Sequence, residues 1–83
     1  MKTYNLIKTR HGHRSGVVVS YFYGTDIEDK KMLNQVEIYL KCWLESYNNS
    51  IPFEEIEEMF KNFDSYFSYD VWRFELEEDE EDE

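Results

Sequence analysis

The chain has 83 residues, with 19 acids against 9 lysines and arginines and a formal net charge of −10. A chain of this length makes one domain with a small core, burying roughly 60% of its unfolded surface. Its charge disfavours nucleic acid or an anionic membrane as the main ligand, since phosphate contacts need Lys and Arg. Its single cysteine, Cys42, excludes an intrachain disulfide, and it has no apolar run long enough for a membrane-spanning helix.

Met1 to Arg10 reads as a strand. Tyr4 and Leu6 alternate with Thr3 and Asn5, and Ile7 breaks the period. His11 to Gly16 reads as a turn with two glycines able to take positive φ. Val17 to Tyr23 is almost wholly β-branched or aromatic, which marks a strand. With both faces apolar it is expected in the middle of the sheet. The first two strands form a hairpin, and Gly24 ends the second.

Thr25 to Tyr47 reads as one long amphipathic helix. Leu33, Val36, Leu40, Trp43, Leu44 and Tyr47 recur at three- and four-residue steps, and Met32 and Tyr39 widen that stripe. Thr25 with Glu28 matches a capping box. Asn48-Asn49-Ser50 and Pro52 close the helix. A shorter helix follows from Pro52 to about Asn62-Phe63-Asp64. Phe53, Ile56, Met59, Phe60 and Phe63 form its inner side, and Glu54, Glu55, Glu57 and Glu58 its outer side.

Ser65 to Leu76 returns to a two-residue period, with Trp72, Phe74 and Leu76 on one side. This predicts a single strand, which begins anywhere from Ser65 to Asp70, since Tyr66, Phe67 and Tyr69 fit either face. The run of carboxylates from Glu77 to Glu83 cannot bury anything and is expected to be a disordered tail. The expected fold is therefore α+β. It is a two-layer ββααβ domain over residues 1–76, a three-stranded antiparallel sheet with two helices on one face. The expected core comprises Leu6, Val19, Val36, Leu40, Trp43, Ile56, Phe60, Trp72 and Phe74. Two helices leave one sheet face partly bare, which predicts a homodimer through that face or through an edge strand.

The charge is unevenly spread. Residues 1–25 hold Lys2, Lys8, Arg10 and Arg14 and no acid, whereas residues 52–83 hold fourteen acids against Lys61 and Arg73. Carboxylates three or four apart on a helix lie about 5–6 Å from one another, a charge density comparable to a nucleic-acid backbone. The partner-binding candidates are Glu54, Glu55, Glu57, Glu58, Asp64, Asp70, Glu75, Glu77 and Glu78, with Tyr66, Phe67 and Tyr69 as apolar anchors beside them. The expected partner is a basic nucleic-acid-binding protein. A solvated helix face with a solubilising tail, on a small structural or regulatory dimer, is the plainer reading of the same residues.

Other constellations are weaker. His11 and His13 could serve as the base and acid of a small nuclease, but a solvated hairpin tip accounts for them, and a zinc site needs three or four ligands. Cys42 has no histidine placed to activate it. The carboxylates of Asp64 to Glu75 lack the glycine-centred spacing of a calcium loop, and the three glycines flank strands. No cofactor, no metal and no enzymatic activity are expected, and the lone cysteine predicts a reduced, cytoplasmic setting.

A short, strongly acidic, aromatic-rich chain of this kind resembles the small inhibitors that bacteriophages direct against host defence, among them anti-restriction DNA mimics and anti-CRISPR proteins. The resemblance lies in size, charge and the acids of residues 54–83, without a shared motif. It implies a host nuclease, CRISPR effector or nucleoid protein as target and the host cytoplasm as location. The basic first hairpin departs from a mimic that is acidic throughout.

Overall fold

A computed structural model describes residues 1–79. In chain order they form strands β1 (Lys2–Arg10) and β2 (Val17–Gly24), helices α1 (Lys30–Tyr47) and α2 (Phe53–Met59), and strands β3 (Tyr66–Tyr69) and β4 (Trp72–Glu78). The class is α+β. The sheet is antiparallel throughout and ordered β2-β1-β4-β3.

One sheet face carries the core. Tyr4 and Leu6 of β1, Phe22 of β2, Phe67 of β3 and Phe74 and Leu76 of β4 pack against Met32, Val36, Leu40 and Leu44 of α1 and Ile56 and Phe60 beside them. The cluster is held by aromatic geometry as well as area. Phe60 stacks on Phe67 at 4.5 Å between ring centroids, and Trp43 meets Phe74 edge-on at 4.8 Å. Lys8 points to the same face, its ammonium 4.2 Å from the Trp72 ring centroid, so its charge is spent on a cation–π contact inside the fold. The opposite face is open. Tyr21 and Tyr23 stand on it 59% and 65% exposed, beside Asn5 and Thr3 of β1.

The sheet has four strands where the sequence predicts three. Ser65 to Leu76 is a hairpin, broken at Asp70 and Val71. Asp70 takes φ +56°, the left-handed conformation that aspartate tolerates better than most residues. The inward positions pass from Phe67 and Tyr69 before the break to Trp72, Phe74 and Leu76 after it, a change of phase masked because Tyr66, Phe67 and Tyr69 are aromatic on both faces.

Strand β2 is an edge strand and not the middle one. β1 is flanked by β2 on one side and by β4 on the other. The apolar outer face that suggested a central position is left in solvent. Register shifts where Leu6 faces Ser20 and Ile7 faces Val18, which makes Val19 the extra residue of a bulge. Val19, Trp43 and Trp72 are half-buried rim residues of the core, while the other six expected core residues are buried.

Helix α1 begins four residues later than the capping-box pattern suggests. Asp29 is its N-cap, accepting from the N–H groups of Lys31 and Met32. Thr25 donates its own N–H and hydroxyl to the same carboxylate. One aspartate thus closes the loop and starts the helix. These hydrogen bonds, the one from the Thr25 N–H foremost, hold the Asp29 carboxyl below its usual range. Gly24 permits the tight turn into α1: a Cβ there would come within 2.7 Å of the Met32 sulfur.

Helix α2 ends at Met59, and residues 60–62 continue as turns. Glu77 and Glu78, expected in a disordered tail, pair with Asn5 and Tyr4 of β1, and the Asp79 N–H donates to the Thr3 carbonyl. Backbone pairing in the centre of the sheet holds them despite their charge. The rest of that expected tail, 80–83, lies outside the described residues. Among the described residues no helix is long and apolar enough to cross a membrane.

Candidate functional site

The four glutamates of α2 are exposed, and Glu54 and Glu55 occupy its first turn, where the helix dipole favours carboxylates. Glu57 reaches Lys41 of α1 at 3.0 Å, and Lys41 also pairs with Glu37 at 3.0 Å. Burial works to lower the Lys41 pKa, but its hydrogen bonds to the two glutamates outweigh that and raise it. Glu57 is therefore partly neutralised by its own fold. Glu54, Glu55, Glu58, Asp64 and Glu77 enter no ion pair among the described residues.

Antiparallel pairing decides which acids meet. β1 starts, and β2 and β4 finish, at the same end of the sheet. That end gathers Glu77, Glu78 and Asp79 from β4 and its continuation, and Asp26, Glu28 and Asp29 from the loop after β2. Asp64 joins them, because the Ser65 carbonyl next to it accepts from the Leu76 N–H. The buried Tyr4 hydroxyl registers this field. Burial raises its pKa most, Lys2 offsets part of the rise, and Glu78, Asp26 and Asp29 add to it. Lys2, 3.7 Å from Glu78, is a cation set among these carboxylates.

The other end of the sheet carries the exposed tip from Arg10 to Gly16, with His11, His13 and Arg14. Gly12 takes φ +90° in this turn. The His11 N–H donates to the Val71 carbonyl at 2.6 Å, which ties the tip to the β3–β4 turn.

The structure divides the expected site. Glu54, Glu55, Glu58, Asp64, Glu77 and Glu78 are exposed. Asp70 lies at the opposite end of the sheet from Glu77 and Glu78 and accepts from the Tyr47 hydroxyl, a bond that, ahead of burial, raises the Tyr47 pKa. Glu75 pairs with Arg73. Of the three aromatic anchors, Phe67 is withdrawn into the core, 8% exposed. Tyr69 is half-buried, its hydroxyl accepting from the Asn48 side chain. Tyr66 remains available, 49% exposed with the Arg73 guanidinium 5.0 Å from its ring centroid.

Asp26 and Glu28 belong to the acidic end and were not among the candidates. Their position next to a helix start explained them locally, and only the pairing of β1 with the last strand brings them to Glu78. Two shallow clefts border the helices. One, of about 200 Å³, is lined by Lys30, Leu33, Asn34, Glu37 and Phe63, and the other, of about 260 Å³, by Glu45, Asn49, Ile51, Phe53 and Ile56. Both fall below the roughly 300–1,000 Å³ usual for small-molecule sites. Among the described residues no group of three His, Cys, Asp or Glu side chains is placed to hold a metal ion.

No protein-family model, curated protein or solved structure matches the chain.

Proposed function

We propose that this protein binds a basic nucleic-acid-binding protein through its acidic surface and competes there with DNA or RNA. The observation that carries this reading is the segregation of charge. Carboxylates from three separate segments, 26–29, 64 and 77–79, collect at one end of the sheet, the glutamates of α2 add a second exposed row, and most of these acids enter no ion pair among the described residues. Such a field steers a positively charged partner and supplies ion release on contact, while the exposed Tyr66 ring offers apolar area beside it. An inhibitor of a host nuclease, CRISPR effector or nucleoid protein would work in this way, in line with the resemblance to phage inhibitors. The reading makes no use of catalysis.

The test is a salt titration of binding to a panel of basic nucleic-acid-binding proteins, with and without competing DNA. Binding should weaken as salt rises and be displaced by DNA. Replacing Glu54, Glu55 and Glu58 together by glutamine preserves size and helix propensity and should slow association about tenfold or more. Binding by this variant that equals the parent's at low and high salt alike would reduce the surface to a solvated face.

A further inference from the structure

We propose that two copies of this chain pair through the outer edge of β2, antiparallel across a two-fold axis, to make one continuous eight-stranded sheet. The proposal does not depend on the acidic docking surface, with which it shares only Asp26 and Glu28.

The first ground is the composition of the edge. Val17–Gly24 contains no charged residue and no proline, the usual devices that keep an edge strand from adding another strand. Its bulge at Val19 leaves Ser20 to Gly24 as a regular run. Among the described residues, Val17, Val18, Tyr21, Tyr23 and Ile27 are five of the ten large apolar side chains left exposed, and all lie on this strand or in the loop that follows it. Ile38 belongs to the α1 flank that also carries Gln35 and Cys42. Helical spacing places that flank next to Tyr39, whose ring meets Phe22 of β2 edge-on at 6.1 Å. Gln35, Ile38, Tyr39 and Cys42 include no carboxylate, in a chain where nearly a quarter of the residues are acids.

The second ground is charge complementarity, and it selects a second copy over an unrelated strand. β2 leaves the basic tip that contains Arg14 and runs to the acidic loop that contains Asp26 and Glu28. An antiparallel pairing centred near Ser20 and Tyr21 lays the start of one β2 beside the end of the other. Each Arg14 then faces the Asp26 and Glu28 of its partner, once on either side of the axis. The surface is complementary to itself, as a two-fold interface requires. The same axis keeps both helix layers on one side, so the two α1 flanks border one groove. The α2 glutamates and Glu77 and Glu78 stay outside the contact.

Sedimentation equilibrium across the micromolar range tests the pairing. The parent should sediment at twice its chain mass of 10.2 kDa. Tyr21→Lys, at an exposed position next to the axis, should give a folded monomer whose melting temperature no longer rises with protein concentration as the parent's does. Arg14→Glu should weaken the dimer about tenfold or more, as should Asp26→Lys with Glu28→Lys, because each sets like charges against one another. Mixing these two variants should restore a heterodimer, since every facing pair is then opposite in sign. A parent that sediments at its own mass leaves the edge to some other extended segment and overturns the proposal. So does a Tyr21→Lys protein that stays dimeric, or a mixture that does not recover.

Discussion

The two edges of this sheet are built on opposite principles. At one edge, β3 is four residues long, and its central side chain, Phe67, is locked between Phe60 and Phe74. At the other, β2 is eight residues long and sends only Phe22 fully into the core, leaving two tyrosines and two valines in solvent. A short strand has little edge to offer and is tied down by its inner face. A long uncharged one has a full row of backbone donors and acceptors and holds on mainly through β1 and the loop to α1. The sheet is closed to additions on the β3 side and open to them on the β2 side.

The largest expected effect lies at the closed edge. Phe67→Ala removes a buried ring from the centre of the aromatic cluster and should cost about 3–5 kcal/mol in a denaturant titration. A loss below about 1 kcal/mol would show that β3 is held by its backbone alone. Next comes the turn that lets β3 fold back on β4. Asp70→Ala loses the hydrogen bond from Tyr47 and puts a less tolerant residue at φ +56°, with an expected cost of about 1–2 kcal/mol. Asp70→Gly should recover the backbone part of that loss.

The open edge has its own fastening at Asp29, and there the prediction concerns pH. The folded state holds this carboxyl below its ordinary value of 3.8. The stabilisation is therefore complete above that value and is lost as pH falls through the lower, folded-state pKa. Parent and Asp29→Ala proteins should differ in melting temperature at neutral pH and converge in acid below 3.8. A gap that persists unchanged in strong acid would assign the loss to packing. The smallest effect is expected from Tyr23→Lys, 65% exposed on β2, whose stability, compared at dilutions where both proteins are monomeric, should stay within about 0.5 kcal/mol of the parent's.

Much of this fold was legible in the sequence. The helical stripe of α1 and the alternation of β1 come from local periodicity, and both elements form close to where the pattern puts them. Three features were not legible, each for a physical reason. Asp70–Val71 turns the chain without glycine or proline, and the aromatics on both faces of Tyr66–Tyr69 hide the shift of phase that the turn makes. An apolar outer face looks the same on a central strand as on an exposed edge, and only the pairing of β1 with β4 assigns β2 its place. The capping pattern at Thr25 competes with a better-placed aspartate four residues on. The candidate site shared these limits. The exposed glutamates of α2 followed from helix geometry. The withdrawal of Phe67, the remote position of Asp70 and the arrival of Asp26 and Glu28 beside Glu78 depend on contacts far apart in the chain.

One further consequence concerns the order in which the chain is made. β4 occupies the middle of the sheet, yet of the described elements it is the last to leave the ribosome. The first hairpin and α1 can assemble from neighbouring residues as they emerge. Until Trp72–Glu78 follows, β1 keeps a bare inner edge, and α1 and α2 have no Phe74 or Leu76 to close on. The nascent protein thus exposes two unprotected strand edges where the finished one exposes a single long edge. During synthesis it would be most vulnerable to pairing with a neighbour on the same message, a window that ends only when the final strand slides between the first and third.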